Sequence, residues 1–413
     1  MSAEGKLMAG EEIALDSLLT RIEAGKSPSA EDSPAGEGEW GVLKVSAIQA
    51  GRFASRENKV LRDAALIHPR YEVKHGDLLM TRANTEELVG LACVVENPPP
   101  RLLLSDKTLR LHVDTSVADP KFLQLALAQQ TVRQRVRTLA TGTSAGMKNI
   151  AQGQIRQLKV PNMLLDEQRQ IVAAHAAFER QIGALEEARA KLEMARRATI
   201  AEAITAAWRH SLVPLKNMLQ RVETGWSPVC APRLPAADEW GVLKLSAVTS
   251  GRFREDEAKA LPPEVGPRRS LEVKSGDVLM SRANGVKSLV GVPCTVARTR
   301  KMLLIPDLVF RLVADSQKLD SEFLGIVLAS DEARRQIDDA MRGSSGQYKI
   351  SQTDVRELFV PSVGLNEQRQ AVATGGVFER RIAAAGKQIT KLRTIQQAVI
   401  EDLLTGRSKA YTA

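Results

Sequence analysis

Six polar residues able to hold a polyanion occur twice in this chain. Lys44, Arg52, Arg82, Asn84, Ser144 and Lys148 recur as Lys244, Arg252, Arg282, Asn284, Ser345 and Lys349, at an offset of 200 or 201 positions. Such side chains donate to phosphate oxygens and reach base edges. The stretches TGTSAGMK (141–148) and RGSSGQYK (342–349) are rich in Gly and Ser and end in lysine. Their backbone N–H groups and hydroxyls suit a phosphate or a base edge. A plainer reading competes: GDLL and GRF are turn chemistry, and the basic residues form a solvated face. Recurrence of the whole set favours shared work on a sugar-phosphate backbone.

Residues for catalysis do not assemble. There is no GxGxxG and no GxxxxGK[ST]. His68, His75, His112, His175 and His210 lack metal spacing to Cys or acids, and their counterparts in the second copy are Arg268, Ser275, Leu312, Gly375 and Ala410. Asn97-Pro98-Pro99 is close to the Asn-Pro-Pro-aromatic signature of adenine methyltransferases, but Pro100 replaces the aromatic. It reads as a turn between strands. Pro306-Asp307 lacks the [DE]xK partner of a nuclease and reads as a strand entrance. The expectation is a non-catalytic chain, with no catalytic residue, no metal and no cofactor.

The elements that position these residues are duplicated with them. EWGVLKVSAIQAGRF (39–53) returns as EWGVLKLSAVTSGRF (239–253), and VKHGDLLMTRAN (73–84) as VKSGDVLMSRAN (273–284). LVGLAC (88–93) returns as LVGVPC (289–294), and VPNMLLDEQRQ (160–170) as VPSVGLNEQRQ (360–370). A period this long is a domain duplication; solenoid repeats run about 20–50 residues. Within each copy, WGVLKVSAI and GDLLMTRA read as strands, with LVGLACVV and KTLRLHV adding to them. KFLQLALAQQTVRQRVRTLA reads as one helix.

A long helix closes each copy. Ile171, Phe178, Leu185 and Leu192 recur every seven residues, with Ile182 beside them. Phe378, Leu392 and Val399 keep the same phase, flanked by Ile382, Ile389 and Leu403. That is coiled-coil periodicity over about 40 residues, hence about 60 Å. Because the chain returns through a globular domain, antiparallel pairing within one chain is expected. Gly375-Gly376 predicts a local weakness or kink near the start of the second helix. The fold class is therefore α/β (α+β), with domains at 1–162 and 210–362 and long helices at 163–209 and 363–408. The copies diverge at 54–71 and 254–270, at 85–88 and 285–288, and at 129–141 and 330–342. Sequence reading is expected in those loops, so two half-sites would differ.

Composition sets the remaining bounds. The 413 residues are 43% hydrophobic and 26% charged, with net charge +9 and a pI near 9.5. The excess favours a polyanionic partner, and duplex DNA fits two related basic modules best. No apolar run is long enough to span a membrane. The acidic opening lacks the apolar core of a secretory signal. Three cysteines (93, 230 and 294) fit a reducing cytoplasm.

In this order the motifs resemble those of specificity subunits of type I restriction-modification enzymes. The resemblance rests on the opening L…G.SP segment (18–28), GDLLMTRAN…LVG, the TSAGMKNI-type loop, VP…L.EQRQI leading into the helix, and the tail EDLLTGR (401–407). It implies two target-recognition domains that each read half of a bipartite, asymmetric DNA site, with the helices setting the spacer. It also implies docking of two S-adenosylmethionine-dependent methyltransferase subunits on helix faces 167–197 and 367–393, and ATP-driven motor-endonuclease subunits joining them. The rival readings are a DNA-binding adaptor of another phage-defence complex and a structural coiled-coil module that binds protein.

Overall fold

The structure is a computed structural model that describes residues 11–144, 147–343 and 346–407. The chain divides into two compact units. One holds the residues up to Leu185 together with those from Lys387 onward; the other runs Glu186–Gly386.

The first unit is built on a four-stranded antiparallel sheet. Its order is Leu19–Ala24, Thr108–Val113, Leu78–Thr81, Ala92–Val94. The central strand Leu78–Thr81 is buried throughout, and its side chains alternate between two cores. Leu78 and Met80 join Phe122, Leu123 and Leu127 of α1 (Pro120–Ala128) and Val132 and Val136 of α2 (Gln130–Leu139). Leu79 joins Cys93, Leu103 and Leu104 on the other side. Burial on both faces explains why GDLLMT reads as an apolar run without polar alternation. Where one helix was expected, two form. Gln129 is extended (φ −56°, ψ 141°), and the break lets both helices lay apolar faces on one core. Asp119 caps α1 by accepting from the N–H groups of Lys121 and Phe122.

Smaller sheets complete this unit, among them the hairpin Ile48–Gln49/Arg52–Phe53. Trp40–Leu43 lies between Asn58–Leu61 and Leu102–Leu103. Glu12–Ala14 pairs with Lys159–Pro161, just after the short α3 (Gln152–Arg156). Met147–Asn149 lies between Thr141–Ser144 and Ala83–Asn84. The turn at Asn97 (φ 44°) falls between two strands, as read. The helix α4 (Leu165–Ala207) begins here, with Ile171 in the core. Ile400, Leu403 and Leu404, from the end of the chain's last helix, fill the same core.

The second unit repeats this plan. Leu219–Thr224, Val309–Ala314, Val278–Ser281 and Pro293–Thr295 form its main sheet. Val278 and Met280 face α5 (Ser321–Leu328) and α6 (Asp331–Ala340), while Leu279 faces the second core. The short α7 (Gln352–Glu357) precedes Phe359–Pro361 and then α8 (Leu365–Leu404). Ile204 and Ala207 of α4 are buried here, and Trp208 donates through Nε1 to Ser330 Oγ at 3.2 Å.

The two long helices pack antiparallel. In the second unit Arg196 donates to Glu379 at 2.7 Å, and Ile200 lies against Gly375. A later position on α4 thus meets an earlier one on α8. In the first unit Gln396 donates to Glu179 at 2.6 Å, and Ile182 of α4 and Ile389 of α8 are buried. One expectation changes. Val399 is 36% exposed, and Ile400 is buried in its stead, because the helix end docks into a globular core instead of continuing a seven-residue seam. Helix α8 runs unbroken through Gly375 and Gly376, where a local weakness or kink was expected. Ala371 and Val372, packed on the core that Val278 and Met280 share with α5 and α6, anchor the preceding turn, and tertiary packing outweighs the ~1 kcal/mol helix penalty of each glycine.

Candidate nucleic-acid interface

A buried charge network fixes the strand that carries Arg82. Arg110 is 6% exposed; its guanidinium lies 3.0 Å from Asp77 and 3.3 Å from Glu23, and donates to the Glu72 carbonyl at 2.5 Å. Asp77 also accepts from the Lys74 N–H at 2.8 Å, closing the HGD turn. Burial is the largest influence on Asp77 and raises its pKa, opposed by the Lys74 N–H and the Arg110 charge. The second unit repeats this with Arg311, Asp277, Glu223 and the Glu272 carbonyl. The GD motif is therefore a structural turn. Gly90 and Gly291 of the LVG motif hold φ values of +71° and +73°. A Cβ there would meet Val136 at 2.5 Å and Ile337 at 2.4 Å, so the helix packs directly on the turn.

With that strand held, its continuation carries the candidate residues to the surface. The Arg82 N–H donates to the Lys107 carbonyl, and the Arg82 carbonyl accepts from Ile150. Ala83 and Asn84 then pair with Asn149 and Lys148. Arg82, Asn84, Lys148 and the strand containing Ser144 thus share one small sheet and its flank. Arg82 is exposed, with no ion pair among the described residues. Asn84 turns its Oδ1 to the Thr85 N–H at 2.8 Å, and Lys148 reaches the Gly142 carbonyl at 3.4 Å. In the second unit Ala283 and Asn284 pair with Lys349 and Tyr348. Arg282 lies 5.4 Å from the Phe310 ring, which orients it. Asn284 accepts from Val286, and Lys349 is exposed. Ser345 lies outside the described residues.

The remaining candidates sit elsewhere. Arg52 is exposed on the hairpin Ile48–Gln49/Arg52–Phe53, and Arg252 on the matching turn. Lys44 is held at 2.9 Å by Asp32, which raises the lysine's pKa and lowers its own. Lys244 lies 3.5 Å from Glu257. Lys44 and Lys244 are thus partly neutralised, whereas Arg52, Arg82, Arg252 and Lys349 stand out on the surface.

Two features escaped the sequence reading. Lys107 is exposed and adjoins Arg82 through the backbone, but it has no basic counterpart in the second copy, where Leu308 stands. A lysine that occurs in one copy alone leaves no signal in the duplication. Gln168 and Gln368, of the two EQRQ motifs, are 1% and 0% exposed. Gln168 accepts from the Asp119 N–H at 2.9 Å and donates to the Val117 and Met163 carbonyls at 3.0 and 2.9 Å. Gln368 does the same with Asp320, Lys318 and Val363. Each glutamine fastens the start of a long helix to its domain. The available signal was its place three residues before Ile171, on the buried face. Ser27 and Ser227 of the two SP motifs bond Asp106 and Asp307, so the Asp of Pro306-Asp307 is a loop tie. Among the described residues no group of three or more His, Cys, Asp or Glu converges as metal ligands, and no helix is long and apolar enough to cross a membrane.

No protein-family model matches the chain. The type I restriction enzyme EcoEI specificity subunit of Escherichia coli is 33% identical over 144 residues, covering 35% of this chain and 24% of that protein. A putative type I restriction enzyme MjaX specificity subunit of Methanocaldococcus jannaschii is 26% identical over 358 residues, 83% of this chain and 81% of its own. The crystal structure of a type I restriction-modification S subunit from M. genitalium shares the fold, with a TM-score of 0.53 over 98% of both chains at 13% identity.

Proposed function

We propose that this chain, similar over most of its length to type I restriction enzyme specificity subunits, recognises duplex DNA by sequence for such a complex. The observation that carries the reading is the doubled basic sheet flank: Arg82, Asn84 and Lys148 in one unit, Arg282, Asn284 and Lys349 in the other. Two copies of one surface suit a bipartite site. Shared cations would position the sugar-phosphate backbone, and the divergent loops would read bases. Regions 1–162 and 210–362 act as the target-recognition domains, joined by helices 163–209 and 363–408. The chain does no chemistry itself. Two methyltransferase subunits and motor-endonuclease subunits supply it, in the cytoplasm, and no membrane is involved.

Single-molecule sequencing of N6-methyladenine in the host genome, with and without this chain, tests the reading. Loss of methylation at one bipartite, asymmetric motif is the expected result. An unchanged methylome would overturn the restriction-modification role and leave an adaptor or a structural module.

A further inference from the structure

The two units share their backbone but differ beside the Ser–Asp loop tie. In the first unit the neighbouring surface is polar: Ser29 follows the SP motif, Lys107 follows Asp106, and Asp32 draws Lys44 and Lys59 to 2.9 and 3.5 Å. In the second unit Val229, Leu308 and Pro232 occupy the equivalent positions. Val229 is 91% exposed and Leu308 is 39% exposed. With Cys230, Lys244, Lys259 and Asp307, whose carboxylate accepts from Ser227, they line an open groove of about 400 Å³. Without a counterpart of Asp32, Lys259 has no ion pair among the described residues. The groove therefore has an apolar lip and one uncompensated cation, Lys259, since Lys244 is held by Glu257 and Asp307 by Ser227. Leu308 also accepts the Arg282 N–H at 2.8 Å, so the groove is continuous with the basic sheet flank.

This combination matches one feature of duplex DNA. Thymine alone among the four standard bases presents a methyl group in the major groove, and apolar side chains read it by contact. A phosphate lies within reach of the same groove edge and rewards an uncompensated lysine. We infer that the Val229–Leu308 lip of the second unit reads a thymine methyl while Lys259 holds an adjoining phosphate. The first unit, with Ser29 and Lys107 there, reads its half-site by polar contacts. This assignment rests on the DNA-recognition reading and names its asymmetry.

The test uses the full chain co-purified with its modification subunits and two random duplex pools, one made with thymine and one with deoxyuridine. Selection from the thymine pool should enrich thymine at a position of one half-site. In the deoxyuridine pool, enrichment at that position should fall about fourfold, the weight of one buried methyl. The paired substitutions Val229→Ser and Leu308→Lys, both on the surface, should erase the preference in the thymine pool and leave the other half-site unchanged. Lys259→Ala should weaken binding to all sequences alike. Equal enrichment in both pools, or a thymine preference that survives the paired substitutions, would overturn the assignment. If neither pool yields any enriched sequence, the DNA reading itself falls, and this inference with it.

Discussion

Gln168 and Gln368 show what a residue can do that its motif does not announce. Each satisfies a backbone N–H and two carbonyls beneath the surface. Leaving such groups unpaired costs about 1–3 kcal/mol each, reduced where water enters. With about 1 kcal/mol for each of the three groups, Gln168→Leu should therefore lower the melting temperature by about 6–12 °C in calorimetry; a shift within one degree would remove the fastening role. At the polar surface, Arg82→Ala and Arg282→Ala should each weaken DNA binding several-fold with the sequence preference kept, as phosphate contacts do. Titration against variant sites checks this, and loss of preference at one base would make that arginine a base reader. Burial pushes the Cys93 thiol up to about 12 and the Cys294 thiol to about 11. Cys230 is only half-buried. One thiol should react with a disulfide reagent in the native chain and three in guanidinium. The candidate residues themselves were legible as duplicated polar positions. Their partners were not, because Asp32 on Lys44 and Phe310 under Arg282 belong to different strands and loops that only the fold brings together.

At the scale of elements, periodicity located the strands and both long helices, since burial on one or two faces leaves a pattern of period two or about 3.6. It did not find the break at Gln129, where no glycine or proline marks the change of direction. Nor did it see that Ile400, not Val399, is buried: the seven-residue phase assumes that the helix partner continues, and here a globular core takes over. The proposed role of the helices as a spacer has a direct test. Matched insertions of four residues near Ala188 of α4 and near Gly386 of α8 lengthen each helix by about 6 Å. The unread spacer between half-sites should grow by one or two base pairs, read by methylome sequencing. Altered half-sites would sink the spacer role.

For the whole molecule, the net charge of +9 and two basic sheet flanks set an expectation in solution. Binding through about six to ten phosphates should weaken by roughly 10³–10⁵ between 50 and 200 mM salt. Fluorescence anisotropy on a duplex bearing the methylated motif measures this. A nearly flat response would favour a protein-binding module. The units are not consecutive stretches of chain. The first combines the residues up to Leu185 with those from Lys387 onward, so each long helix begins in one unit and ends in the other. Circular continuity of that kind leaves no local signature.

Local chemistry decided part of this protein. The duplication, the two strands ending in Arg-Ala-Asn, the glycine turns and the paired long helices all follow from residue types and spacings, because turns and amphipathic faces are properties of neighbours in sequence. Tertiary structure decided the rest. Which cations stay free, which glutamine is buried, and which copy carries an apolar groove depend on segments that meet only in the fold. The exchange of Asp32 for Pro232 and of Lys107 for Leu308 is visible in an alignment of the repeats. That Leu308 and the lysine left without an acidic partner, Lys259, line one groove beside Arg282 is visible only in three dimensions.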